Sequence, residues 1–236
     1  MLLWNLGVLF QDPVLFLLIL MATSIALLVA ITVHEFSHAL AAWLLGDDTA
    51  RYQGRLSLNP VAHLDPMGTI LLFVAGFGWG RPVPVNPYNL RNGIKGGMAT
   101  VSFAGPLANL LTAGILAIPI RLQWLEWQGP TAWVYLPVQS WTVEWFGASL
   151  LGFIIFYSII LAAFNLLPIA PLDGFSVAVG VLPKQLSALW ASTESYGPAI
   201  LFILIALGYI TGFSLLWRLL NPVIDLFSFL LVGRPL

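Results

Sequence analysis

The chain lacks cysteine altogether and is poor in charge, because only 8% of its 236 residues are Asp, Glu, Lys or Arg. Without cysteine, the protein forms neither disulfides nor thiolate bonds to a metal. A soluble domain carries about 25% charged residues, so this chain has too little charge to cover a surface that faces water. Its net charge of -1 also lacks the basic excess of nucleic-acid-binding proteins, and we expect no nucleic-acid partner.

Apolar residues take the place of charge, at 59% of the sequence with a mean hydropathy of +0.93. The first long apolar segment covers residues 13–45, and others of spanning length follow at about 97–120 and 145–167. About 20 apolar residues are enough for a helix to cross a bilayer. The composition therefore predicts an all-α integral membrane protein in contact with the lipid bilayer, with about five to six transmembrane or re-entrant helices.

The other apolar stretches are less regular. Residues 67–79 are too few to cross a bilayer, which favours a re-entrant or buried helix. The region 197–232 is long enough for one kinked helix or for two helices. A proline-rich loop at 80–92 predicts extended backbone, so we expect short extended or β segments there. The tryptophans in the loop 121–144 are typical of a membrane interface.

The basic residues predict the orientation. Five of the nine Lys and Arg residues lie in the two loops that flank 67–79, namely Arg51, Arg55, Arg81, Arg91 and Lys95. Cytoplasmic loops are enriched in such residues, so both loops are assigned to the cytoplasmic side of the cell membrane. His38 lies seven residues before the end of its apolar segment, about 10 Å deep at 1.5 Å per residue.

Residues 34–38, inside the first apolar segment, read H-E-F-S-H. On a helix, His34 and His38 lie one turn apart on the same face, so both imidazoles reach one metal ion. Glu35 lies beside them, where its carboxylate can take a proton from a water molecule that the metal activates. Because ionisable residues are costly in hydrocarbon, their placement favours function. The pattern predicts a zinc-dependent hydrolase that works inside a membrane.

A catalytic zinc site needs a third protein ligand beside two imidazoles and a water. The remaining candidates are His63, Asp65, Glu126, Glu144, Asp173, Glu194 and Asp225. Asp173 is favoured, because it lies in F-N-L-L-P-I-A-P-L-D-G, whose prolines and glycine permit non-helical backbone at membrane depth. His63 is the alternative ligand. The structural alternative for Asp173 is to cap the helix that follows it.

Asn165 lies eight residues before Asp173, at the end of the third apolar segment. A buried amide can donate to a developing oxyanion or hold a substrate backbone, which is a catalytic role. It can also join two helices by a hydrogen bond. The spacing alone does not decide between the two roles.

Three motifs in this order resemble the site-2 protease family of intramembrane zinc metalloproteases. They are H-E-F-S-H at 34–38, S-F-A-G-P-L-A-N at 102–109 and F-N-L-L-P-I-A-P-L-D-G at 164–174. The resemblance covers about residues 13–183 and is nearest to compact prokaryotic members without PDZ-like or CBS-like domains. It implies that His34, His38 and Asp173 hold one Zn2+ per chain, that Glu35 activates water, and that Asn165 positions the substrate.

The resemblance also implies a substrate class, the transmembrane segments of single-pass, membrane-anchored proteins. We expect residues 1–236 to form a single integral-membrane metalloprotease domain, with a catalytic core at about 13–183 and apolar helices at about 197–232. The alternatives are an inactive membrane scaffold and a metal-binding or metal-transport protein. The presence of every expected catalytic residue argues against the scaffold. The clustering of polar groups near one face argues against a transporter.

Overall fold

A computed structural model of the protein describes residues 6–75, 78–130, 142–211 and 214–234. These ranges contain ten α-helices: α1 Leu6–Gln11, α2 Pro13–Leu44, α3 Thr49–Tyr52, α4 Pro66–Ala75, α5 Ile94–Arg121, α6 Val143–Asn165, α7 Asp173–Val181, α8 Lys184–Ala191, α9 Gly197–Thr211 and α10 Leu215–Leu231. Short 3-10 turns lie at Pro60–Ala62, Pro87–Asn89 and Glu194–Tyr196. The all-α class predicted from the sequence is confirmed.

Helix α2 is the longest element, and its ends follow from local sequence. The Asp12 side chain accepts a hydrogen bond from the Leu15 backbone N–H at 3.0 Å, and Pro13 occupies the first helical position. Both features are typical of helix starts. Gly46, with φ of 103°, follows the last turn in the left-handed conformation that ends many helices. The spans predicted for α2, α5 and α6 agree with these helices to within three residues.

Four helical stretches among the described residues are long and apolar enough to cross a membrane. Three are α2, α5 and α6, and the fourth, Lys184–Gly208, runs through α8, a 3-10 turn and most of α9. Helix α4 has 10 residues, too few to span. The region 197–232 forms two helices, α9 and α10, rather than one.

Small residues let the long helices approach one another. Ala22 and Ala26 of α2 are buried against Phe153 of α6. Ala113 and Ala117 of α5 are buried in a second cluster with residues of α6 and α10. In lipid, helices associate mainly through such close packing. The packing fixes α2, α5 and α6 as one body, with α7 against α5.

The expected extended and β segments are only partly found. Among the described residues there is no strand, and the nearest feature is an isolated antiparallel bridge between Leu64 and Gly80. The proline-rich loop has no regular secondary structure from Arg81 to Asn86, and Asn86, just before the 3-10 turn at Pro87–Asn89, has extended backbone. Prolines remove backbone donors, which limits pairing along this loop. Residues 131–141 of the tryptophan-rich loop lie outside the described residues, so its interfacial role stays a prediction.

Asp47 joins the end of α2 to the proline-rich loop. Its carboxylate is fully buried and accepts hydrogen bonds from Thr49 Oγ1 at 2.6 Å, the Asn86 backbone N–H at 2.7 Å and Asn89 Nδ2 at 2.9 Å. Burial raises the pKa of Asp47, but these hydrogen bonds outweigh it and hold that pKa below its usual value. The carboxylate therefore stabilises the fold in its charged form.

Replacement of Asp47 by Ala should lower stability by about 3 kcal/mol, because several hydrogen bonds to a charged group are lost. The measurement is thermal unfolding in detergent, with Asp48→Ala as the control. Among the described residues, the Asp48 side chain forms an exposed ion pair with Arg51 at 3.5 Å, worth at most about 1 kcal/mol. Since the folded pKa of Asp47 is lowered, its contribution should be full above about pH 4 and be lost as the pH falls further. Equal stability of both variants would contradict this role.

Candidate metal centre

Three side chains from two distant parts of the chain meet in the interior. Helix α2 presents His34 and His38 on one face, with ring centroids 4.6 Å apart and ring planes at 89°. Asp173, the first residue of α7, places Oδ2 3.0 Å from His34 Nε2 and 3.3 Å from His38 Nε2. One ligand atom from each of the three residues lies within 4.8 Å of the others. Both imidazoles are buried and the carboxylate is half-buried.

The donor set fits a zinc ion. Zinc takes imidazole nitrogen and carboxylate oxygen at about 2.0 to 2.2 Å in tetrahedral geometry, so adjacent ligand atoms should lie about 3.3 to 3.5 Å apart. The two nitrogen–oxygen distances in the structure, 3.0 and 3.3 Å, are close to this range. The Nδ1–H of His38 donates to the Val101 carbonyl at 2.7 Å. In a neutral ring this leaves the Nε2 lone pair facing the Asp173 oxygen, an arrangement that a cation between them stabilises.

The backbone makes room for these side chains at two glycines. A Cβ atom at Gly105 of α5 would lie 2.5 Å from His38 Nε2 and 2.8 Å from His34 Cε1, closer than atoms pack. A Cβ atom at Gly174 would lie 2.3 Å from the Leu166 carbonyl oxygen, so only glycine lets α7 begin against the end of α6. The sequence interpretation did not single out Gly105, although it lies in S-F-A-G-P-L-A-N. Its signal is a glycine inside a helix before Pro106.

Glu35 faces a cavity of about 790 Å³ that also borders the three candidate ligands. The walls come from α2, α4, α5, α6, α7, α9, α10 and the loop residues near Gly80. A Cβ atom at Gly80 would lie 3.5 Å from Glu35 Oε1, so the carboxylate lies against the proline-rich loop. A carboxylate beside a metal site and open to a cavity is suited to proton transfer.

Asn165 also lines this cavity, at the last residue of α6. Its Nδ2 donates to the Leu161 carbonyl at 3.0 Å, one turn back on the same helix. In the described part of the protein the amide therefore does not join two helices. This contact removes the support for an interhelical role, while the catalytic role of Asn165 stays a prediction.

The other candidate ligands lie elsewhere. His63 is fully buried, and its Nε2 is 2.7 Å from the Ser57 carbonyl. Asp65 Oδ1 accepts from the Gly68 backbone N–H at 2.8 Å and caps the start of α4. Asp173 is the first residue of α7, whereas the N-cap position is Leu172. Within the ranges that the structure describes, Asp173 is thus the acidic group that meets both imidazoles.

Replacement of Gly105 by Ala should lower zinc affinity about 10- to 100-fold, because the new methyl group displaces both imidazoles. Zinc per chain, measured after dialysis against graded chelator, checks this. Gly96→Ala on the same helix is the matched control, since a Cβ atom there meets no atom within 4 Å. Equal zinc retention by the two variants would show that Gly105 does not limit the site.

Comparisons with known proteins agree with this arrangement. The family model described as "Peptidase family M50" matches residues 126–208, which include Asn165 and Asp173. "Putative zinc metalloprotease YwhC" of Bacillus subtilis is 39% identical over 216 residues, covering 86% of this chain and 90% of the relative. No solved structure matches the chain significantly.

Two further relatives carry the name "Putative zinc metalloprotease Rip2". The Mycobacterium tuberculosis protein (strain H37Rv) is 31% identical over 75% of this chain, and the Mycolicibacterium smegmatis protein is 30% identical over 75%. The matched regions cover 63% and 64% of these two relatives. The zinc cofactor implied by the sequence motifs agrees with all three names. The chain therefore belongs to Peptidase family M50, the site-2 protease family, and is a metalloprotease.

Proposed function

We propose that this protein is an intramembrane zinc endopeptidase that hydrolyses peptide bonds in transmembrane segments of single-pass, membrane-anchored proteins. Such cleavage is the activity of regulated intramembrane proteolysis. The observation that carries the proposal is the cavity shared by Glu35 and the group His34, His38 and Asp173. Helices α2, α5 and α6, which are long enough to span a membrane, contribute to its walls. A substrate that reaches this cavity would come from the lipid phase.

Each group has a part in the proposed hydrolysis. A zinc ion held by His34, His38 and Asp173 would polarise the scissile carbonyl and lower the pKa of the attacking water. Glu35 would accept the proton of that water and deliver it to the leaving amine. Asn165 would donate its amide hydrogens to the substrate carbonyl or backbone. The apolar walls would exclude bulk water and strengthen these electrostatic interactions.

The proline-rich loop beside the cavity supports a way to hold the substrate. Val83 and Val85 line the cavity, and within the described residues their backbone N–H groups have no hydrogen-bond partner. Alternate residues of a strand point their N–H groups to the same side, while Pro82 and Pro84 have none to offer. An unwound substrate segment would pair with this edge as an added strand.

The proposed setting is the cell membrane, with the site nearer the cytoplasmic face. Its support is the clustering of basic residues in the loops around α4. In this arrangement α4 is a re-entrant helix, and α10, with 17 residues, adds a fifth crossing to the four candidate spans. The proposed arrangement thus has five crossings and one re-entrant helix. We further propose that residues 1–236 act as a single metalloprotease domain.

Replacement of Glu35 by Gln should abolish cleavage and keep zinc, because the proton acceptor is lost and the ligands remain. A fall of several orders of magnitude is expected, since the base and the activated water act as a unit. The assay uses purified protein in phosphatidylethanolamine–phosphatidylglycerol vesicles. The substrate is a single-pass protein whose transmembrane helix is weakened by an Asn-Gly pair. His38→Ala is the control and should lose both cleavage and zinc. Wild-type turnover by Glu35→Gln would rule out the mechanism.

Asn165→Ala should lower the cleavage rate by roughly 10²-fold while zinc content and melting temperature stay unchanged, because an oxyanion donor acts only on the reacting substrate. Asn165→Asp is the matched variant, since it keeps the size of the side chain but removes the donor. The same preparation is used for zinc content, thermal unfolding and rate. A lower melting temperature with normal rates would instead assign Asn165 a structural role.

A further inference from the structure

Arg55 is a charged side chain buried among backbone carbonyl groups. The residue is only 4% exposed and lies in the loop that follows α3. Its Nη1 donates to the Ala62 carbonyl, and its Nη2 donates to the carbonyls of Arg81 and Pro82, the last at 3.0 Å. A buried guanidinium without such partners would be strongly unfavourable. Its placement therefore depends on the two loop segments that it joins.

The three acceptors lie on the two sides of the antiparallel bridge. Leu64 pairs with Gly80, and the Arg81 backbone N–H donates to the His63 carbonyl at 2.8 Å. The bridge has no second strand pair to support it among the described residues, and an isolated pairing of this kind is weak in water. Arg55 adds charge-assisted hydrogen bonds on both sides of the bridge, each stronger than a neutral one.

The segment held in this way forms part of the cavity wall, directly beside Glu35. Gly80 is close to Glu35, because a Cβ atom added at Gly80 would lie 3.5 Å from Glu35 Oε1. Pro82, Val83 and Val85, which follow directly, line the same cavity. The Arg55 guanidinium is also near enough to Glu35 for an attractive charge interaction. Any displacement of residues 80–85 would thus move the wall relative to the carboxylate.

We propose that Arg55 is a positioning residue that fixes the segment 80–85 against Glu35 and so sets the alignment of the substrate backbone. The proposal rests on the proposed proteolytic function and deepens it. Arginine suits the task, because its planar fork reaches several acceptors at once, whereas a lysine ammonium is a compact point charge. A lysine would keep the positive charge near Glu35 but could not hold carbonyls on both sides of the bridge.

The test compares Arg55→Lys and Arg55→Gln with Arg51→Gln. Arg51, four residues earlier in the chain, has an exposed side chain and serves as the control for lost charge. Amide hydrogen exchange over residues 78–86 reports the segment without any need for cleavage. Zinc content reports the metal site, and KM and kcat for the single-pass substrate in vesicles report function.

We expect both Arg55 variants to keep zinc, to exchange the Arg81 amide at least 10-fold faster, and to lose at least 10-fold in kcat/KM, mainly through a higher KM. Arg51→Gln should match the wild type. Normal exchange and cleavage by Arg55→Lys would overturn the proposal, because charge alone would then suffice. Loss of zinc by both Arg55 variants would also overturn it and make Arg55 a residue of general folding. A wild-type protein that cleaves nothing contradicts the proteolytic function, whereas the exchange result still decides the positioning role.

Discussion

The approach of one carboxylate to two imidazoles constrains the rest of this molecule. His34 and His38 are neighbours by helix geometry alone, but Asp173 belongs to another element and must come within about 3 Å of both rings. The chain meets this requirement with close backbone contacts. Gly105 lets α5 pass directly over the imidazoles, and Gly174 lets α7 begin against the end of α6. The packing of four helices is thus organised around a few ligand atoms.

A second constraint is that this protein has few polar groups with which to stabilise a buried charge. With 8% charged residues, the buried ionic groups depend on partners within the chain. Asp47 is surrounded by donors, Arg55 by carbonyl acceptors, and Asp173 by imidazoles. Each of these residues connects segments that are distant in sequence. Polar groups therefore determine the tertiary arrangement at the loop end of the helices. Small apolar residues determine the packing along the rest of α2, α5 and α6.

The helices and the candidate ligands were predictable from the sequence because their signals are local. Long apolar runs mark α2, α5 and α6, and the i, i+4 spacing puts His34 and His38 on one face. The sequence does not determine whether α9 and α10 are one helix or two, since glycine in an apolar run permits either a kink or an end. The parts played by Gly105 and Arg55 were not predicted. Both depend on contacts between distant segments, which no local pattern reveals.

The position of Asp173 at the start of α7 has a consequence for biosynthesis. During translation, α2 enters the membrane with both histidines and the glutamate long before residue 173 is made. At that stage the nascent chain has only two of the three ligands. The cavity wall at residues 80–85, which Arg55 contacts, is also synthesised after α2. A ribosome-bound or truncated chain therefore carries an incomplete centre. The order of the ligands along the sequence therefore delays completion of the metal centre until most of the helical body has been made.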